Sequence, residues 1–190
     1  DADIVVHLGD HAQDAAALDG FTGVHPMAPD SMVPGALAVM WELEQSLVEI
    51  LGMSGVSLLP AAGAHGELTG MKVVRAALTA RGNPRTKVLI PDTAHGTNPA
   101  SSALNGYSVV KVPSSESGIL DPEAVAAVMD SEVAAIMITN PNTLGLFERD
   151  IHKVAEIVHE KGGLVYGDGA NLNAIMGKYR PACLGIDVMQ

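Results

Sequence analysis

Leu164-Val165-Tyr166-Gly167-Asp168-Gly169-Ala170-Asn171 is a short apolar run that stops on a single carboxylate and continues in small residues. The run has the length and composition of a buried strand. An Asp at the carboxyl end of a parallel strand stands where open α/β sheets receive their ligands. Small residues after it let something flat approach the backbone. A pyridine-type cofactor needs that combination, a carboxylate at the ring nitrogen and no bulk against the ring. An Asp so placed is also commonly no more than a cap for the turn that follows it.

Outward from this stretch, strand and helix signals alternate. Upstream, Gly162-Gly163 closes a helix expected over 150–161, with Ile151, Val154, Ala155 and Val158 as its buried stripe. Before it, residues 134–139 form a wholly apolar strand that meets Asn140-Pro141-Asn142. Asp121-Pro122-Glu123 reads as a helix start, with Asp as N-cap and Pro at the first helical position. Residues 107–112 read as a strand, 99–105 as a short helix, and Lys87–Pro91 as a strand delivering Asp92-Thr93-Ala94-His95-Gly96. Earlier still, a strand over 56–59 runs into Pro60-Ala61-Ala62-Gly63-Ala64-His65-Gly66, and a helix is expected over 67–80. Leu37, Met40, Trp41, Val48 and Leu51 recur at helical spacing between Pro34 and Gly52. Residues 1–33 are the least regular part, with Ile4-Val5-Val6 as a short strand, and 34–190 make one large domain. The fold class is therefore α/β, a mainly parallel sheet with flanking helices.

The composition agrees. Hydrophobic residues make up 47% of the 190 and aromatics only 3%, so aliphatic side chains must fill the core. Eleven basic residues against 22 acidic ones give a net charge of −11, which argues against nucleic acid and anionic lipid as partners. The single cysteine, Cys183, excludes an internal disulfide framework. No apolar run approaches the roughly 20 residues of a membrane helix. The chain opens at Asp1 and stops at Gln190, just after Ile186-Asp187-Val188-Met189, and is expected to be a fragment whose cut strand leaves a sheet edge or apolar face uncovered.

The polar residues gather where strands end. The small-residue turn at 61–66 sits between a strand and a helix, where free amides and the helix dipole make an anion cradle; it is equally a tight packing turn. It has neither the Walker nor the dinucleotide pattern. His95 follows a strand end beside Gly96, placed to stack on a ligand ring or simply to lie at the surface. Asn140 and Asp168 end two further strands.

Four segments together resemble one family. They are Ala61-Ala62-Gly63-Ala64-His65-Gly66-Glu67-Leu68-Thr69-Gly70, Ala94-His95-Gly96-Thr97-Asn98-Pro99-Ala100, Thr139-Asn140-Pro141-Asn142-Thr143-Leu144-Gly145-Leu146-Phe147 and Asp168-Gly169-Ala170-Asn171-Leu172-Asn173-Ala174-Ile175-Met176-Gly177. In order and content they are similar to the P-protein of the glycine cleavage system, the pyridoxal-phosphate-dependent glycine decarboxylase, in its C-terminal half or second subunit. The resemblance runs from about Asp19 to Gln190.

It implies the large domain of a fold type I pyridoxal 5'-phosphate enzyme. Ala62, Gly63 and Ala64 would hold the cofactor phosphate, His95 would stack on the ring and Ala170 would pack on its other face. Asn140 would bond the ring hydroxyl and Asp168 the ring nitrogen. His95 and Asp168 would be the catalytic pair, and no metal ligand is assigned. The substrate would be glycine, and the partners a lipoyl-bearing H-protein and a second P-protein half or subunit. The compartment would be the bacterial cytoplasm, or the mitochondrial matrix in a eukaryote. The alternatives are another fold type I enzyme, or a non-catalytic subunit.

Two departures stand out. The family's Gly-Ser-Cys-Thr-Met-Lys segment is represented only by Leu8-Gly9, followed by Asp10-His11-Ala12. The Schiff-base lysine of the family lies beyond Gln190, so the 190-residue chain alone is expected to be inactive.

Overall fold

The structure, a computed structural model, describes residues 4–6, 25 and 27–190. Most of the 1–33 segment read as irregular, including Leu8-Gly9, lies outside the described residues. The strands are β1 (Ile4–Val6), β2 (Val56–Ser57), β3 (Lys87–Pro91), β4 (Ser108–Val112), β5 (Val133–Thr139), β6 (Leu164–Asp168) and β7 (Val188–Met189). The helices are α1 (Pro34–Leu51), α2 (Gly63–Ala80), α3 (Asn98–Leu104), α4 (Pro122–Val128) and α5 (Ile151–Glu160). One seven-stranded sheet runs in the order β2-β1-β7-β6-β5-β3-β4, and every pair in it is parallel.

Alternation along the strands divides the core into two layers. Leu89, Ile136, Ile138 and Val165 face one side, where they pack with Leu47, Leu51, Val125, Val154 and Val158. Val88, Ile90, Met137 and Tyr166 face the other and meet Met71, Val74 and Leu78 of α2. The sheet is thus covered by helices on both faces, which is why its strands read as continuous apolar runs. None of the described helices is long and apolar enough to cross a membrane.

Several elements fall as the sequence predicts. Asp121 caps α4, its carboxylate accepting from the Glu123 amide at 2.9 Å. The buried residues of α5 are Ile151, Val154, Ala155 and Val158. Others differ. The helix expected from Glu67 begins at Gly63, so the supposed turn at 61–66 is largely its first turn. Among the described residues, only the C-terminal half of α1 finds a partner: Leu47 and Leu51 are buried, whereas Leu37, Met40 and Trp41 stay exposed. The sheet edge expected to stand open at β7 does not, because β7 pairs with β6 on one side and β1 on the other.

Between β3 and β5 the chain reverses its progress across the sheet: β4 lies outward of β3, while β6 and β7 continue in the opposite direction from β5. In an open parallel sheet the crevice outside the carboxyl ends at such a point is the place for a ligand. The ends of β3, β5 and β6 deliver His95, Asn140 and Asp168 to that edge.

Candidate active site

Asp168 closes β6 and is 1% exposed. Its Oδ1 accepts from the Ala170 amide at 3.1 Å and from Gln190 Nε2 at 2.9 Å, and its Oδ2 accepts from Thr139 Oγ1 at 3.3 Å. The Thr139 hydroxyl in turn accepts from the His95 amide at 3.1 Å, so the end of β5 couples the loop after β3 to the carboxylate on β6.

Glu67 lies on the buried stripe of α2, with Gly66, Gly70, Met71 and Val74. It accepts from Ser101 Oγ at 2.7 Å and from Thr97 Oγ1, and Thr97 Oγ1 also lies 2.8 Å from His95 Nδ1. One side-chain ligand atom each of Glu67, His95 and Asp168 fall within 4.8 Å of one another. Both carboxylates are buried and the imidazole is half exposed. Among the described residues no lysine or arginine is paired with either carboxylate. Tyr166 points to the same face of β6 as Asp168. Its hydroxyl is buried without a hydrogen-bond partner among the described residues. Burial first, then the charges of Asp168 and Glu67, push the Tyr166 pKa well above its ordinary value.

The cradle takes a different form from the one expected. Ala62 is the extended N-cap of α2 and offers no side-chain cap, and the first helical bond runs from Gly66 N to Ala62 O at 2.9 Å. The amides of Gly63, Ala64 and His65 are therefore left without helical acceptors, at the positive end of an 18-residue helix. Gly63 lies on the same helical face as Glu67, one turn above it.

Asn140 follows β5. Its Oδ1 accepts from the Glu148 amide at 3.0 Å, while its Nδ2 is buried with no partner among the described residues. The loop that holds it is fixed by Asn142 and Glu148. Asn142 Nδ2 donates to Glu148 Oε1 at 2.8 Å, and Glu148 Oε2 accepts from the Leu120 amide at 2.7 Å. Ala170 is exposed and, with Pro141, Thr143, Asn171 and Asn173, lines a groove of about 500 Å³.

The structure therefore brings His95 and Asp168 together, with Asn140 at the neighbouring strand end and Ala170 on the rim. Gly169 departs from its reading: the space beside its Cα is filled by Gln190 and Met189 and is not open to a ligand. Lys178 is exposed and lines a separate groove with Glu49, Ile50 and Arg180. Sequence reasoning missed Glu67, Thr97, Ser101, Thr139 and Gln190. One signal for Glu67 existed, a lone carboxylate in register with the apolar positions Met71, Val74 and Leu78.

No family model matches the chain. Its sequence is 56% identical over 175 residues to the probable glycine dehydrogenase (decarboxylating) subunit 2 of Kosmotoga olearia, covering 92% of this chain and 36% of that protein. The chain thus spans about a third of the length of that curated relative. The likeness to the glycine cleavage P-protein family read in the sequence is borne out along nine-tenths of the chain. Among solved structures, an inhibitor-bound glycine decarboxylase (P-protein) of the glycine cleavage system matches 96% of this chain and 40% of its own. Its TM-score is 0.74 at 24% identity. Oryza sativa TDC, crystallised with PLP and tryptamine, matches 67% of this chain and 32% of its own, with a TM-score of 0.56 at 18% identity. At those identities the structures carry the fold, that of the type I pyridoxal-phosphate enzymes.

Proposed function

We propose that this chain is the cofactor-binding core of a glycine-decarboxylating P-protein, with pyridoxal 5'-phosphate held at the carboxyl ends of β3, β5 and β6. The observation that carries the reading is Asp168, a carboxylate buried to 1% exposure with three donors around it and no lysine or arginine paired to it among the described residues. Such a group calls for a cationic partner from outside the chain, because an unpaired buried charge is costly. A protonated ring nitrogen is one. The unpartnered Asn140 Nδ2 is a buried donor suited to a ring oxygen, and the three free amides at the start of α2 suit a phosphate. The residues present fit the group.

Pyridoxal phosphate, when bound, supplies an electron-withdrawing ring that takes up the electrons released as a bond at an amino-acid α-carbon breaks. Asp168 would hold the proton on the ring nitrogen. His95 would cover one face of the ring and Ala170 would border the other, and Ala62, Gly63 and Ala64 would anchor the phosphate. No lysine is paired with a group of this site among the described residues, so the Schiff-base amine of this reading would come from elsewhere. Lys72, Lys111, Lys161 and Lys178 are exposed, and Lys87 and Lys153 are paired with Asp130 and Asp150. Glycine as substrate and a second subunit as partner belong to the same reading and follow the name of the relative; a lipoyl-bearing H-protein as acceptor follows only from the resemblance read in the sequence. A bacterial cytoplasm or a mitochondrial matrix is where that partner set would be met.

The test is titration of pyridoxal phosphate into the chain, followed by its visible absorbance, with Asp168→Asn beside the parent. Binding that weakens at least tenfold in the variant supports the reading; equal binding by both sinks it. Exchange of labelled CO2 into the glycine carboxyl by the complete protein with its lipoyl carrier tests the reaction.

A further inference from the structure

The hydrogen bonds around Glu67 determine more than its own burial. As a carboxylate, Glu67 only accepts. Ser101 Oγ donates to its Oε2 and Thr97 Oγ1 donates to its Oε1. A threonine hydroxyl has one proton, so Thr97 has none left for the 2.8 Å contact between its Oγ1 and His95 Nδ1. That contact requires the proton to sit on the imidazole. The Thr97 amide also donates toward Nδ1, at 3.4 Å, a contact that would use a lone pair there; it competes with the 2.8 Å contact to the hydroxyl, and the shorter of the two sets the tautomer. In a neutral His95 the proton is therefore on Nδ1, and Nε2 carries the lone pair. The protonated nitrogen of an imidazole is chosen by the partner of its other nitrogen.

We propose that Glu67 is a positioning residue that acts through the Thr97 hydroxyl to hold His95 as the Nδ1–H tautomer with its ring in one orientation, leaving Nε2 as a hydrogen-bond acceptor at the site. Three elements build the relay. The carboxylate comes from α2, Ser101 from the start of α3, and Thr97 and His95 from the loop between β3 and α3. Glu67 is 2% exposed, so the acceptor at the far end of the relay is shielded from water. The Glu67 carboxylate and His95 Nδ1 are 3.9 Å apart, too far for a direct bond, which makes the hydroxyl the necessary link. The tautomer stands on the chain's own bonds. What the ring acts on rests on the pyridoxal phosphate reading above.

The relay is tested on the full 190-residue chain, labelled with 15N-histidine, by two-bond 1H–15N correlation of the His95 ring at a pH where it is neutral. The parent is expected to show Nδ1–H. Thr97→Ser, which keeps the hydroxyl, should keep that pattern. Thr97→Val and Glu67→Gln should shift the ring toward Nε2–H, the latter because an amide NH2 facing Thr97 frees the hydroxyl proton for Nδ1. If Thr97→Val fails to fold, judged by loss of amide dispersion, Thr97→Ser and Glu67→Gln carry the comparison. An Nε2–H parent, or a pattern unmoved by Glu67→Gln, overturns the relay. Pyridoxal phosphate is then added to the parent. A change at the His95 ring nitrogens supports the role assigned to the ring. A parent with the expected tautomer whose His95 signals ignore the ligand overturns the pyridoxal phosphate reading and that role, and leaves the hydrogen-bond relay standing.

Discussion

Gly169 and Gln190 meet so closely that a Cβ on the glycine would lie 2.4 Å from the Gln190 carbonyl oxygen, and the Gly169 amide donates to that same oxygen at 2.8 Å. Gln190 is also the residue whose Nε2 reaches Asp168 at 2.9 Å. Gly169→Ala must therefore push the residue after β7 away from the carboxylate. The expected cost is about 1–3 kcal/mol from overpacking against backbone, read as a lowered urea midpoint. An alanine variant as stable as the parent would mean that the two strand ends do not touch.

Tyr166 offers the opposite case. Its hydroxyl is buried with no partner among the described residues, so Tyr166→Phe should be neutral or stabilising by up to about 1 kcal/mol. The same residue makes stability fall in alkali. Burial raises the pKa values of Tyr107, Tyr166 and Tyr179, the last to about 12. A group whose folded pKa is raised contributes stability that is whole below its unfolded value and is lost as pH climbs toward the folded one. Stability should therefore decline above the ordinary tyrosine value of 10.0, and Tyr166→Phe should flatten part of that decline in denaturation curves taken across this range.

His95 is expected to act chiefly through its ring face, with the relay holding it in place. His95→Phe should keep most of the pyridoxal phosphate affinity, while His95→Ala should lose roughly tenfold, the worth of one aromatic contact. Equal affinities in the two variants would remove the stacking role.

Glu148 anchors the loop that carries Asn140. Glu148→Ala strands the Leu120 amide, at about 1–3 kcal/mol, and takes one of two acceptors from Asn142 Nδ2, which keeps the Gly118 carbonyl at 2.9 Å. Glu148→Gln keeps one acceptor and should cost less. Thermal melts of the pair measure the difference, and a milder effect from Ala than from Gln would contradict the network.

Much of the fold is legible because periodicity is a local property. The burial of Ile151, Val154, Ala155 and Val158 follows from their spacing alone, and β6 ends on Asp168 as its composition foretells. The start of α2 is not legible, because Ala62 has no side-chain oxygen to mark an N-cap and Gly63 and Ala64 read as turn residues. That misplacement also hides Glu67, which reads as a helix's first residue and is in truth one turn inside it. Trp41 shows the limit of a helical stripe: the period is real, but the described residues supply a partner only for the later half of α1. Gly169 reads as a residue that makes room, and only the pairing of distant strands reveals that Gln190 takes the room.

The floor of the site hangs from β5, all seven of whose residues are buried between β3 and β6. Backbone amides there should be among the slowest in the molecule to trade protons for deuterons, because opening them means parting the sheet at its middle. Thr139, at the end of that strand, bonds to both the His95 amide and the Asp168 carboxylate. Whatever enters and leaves this crevice would thus do so against a base that opens only when the middle of the sheet does.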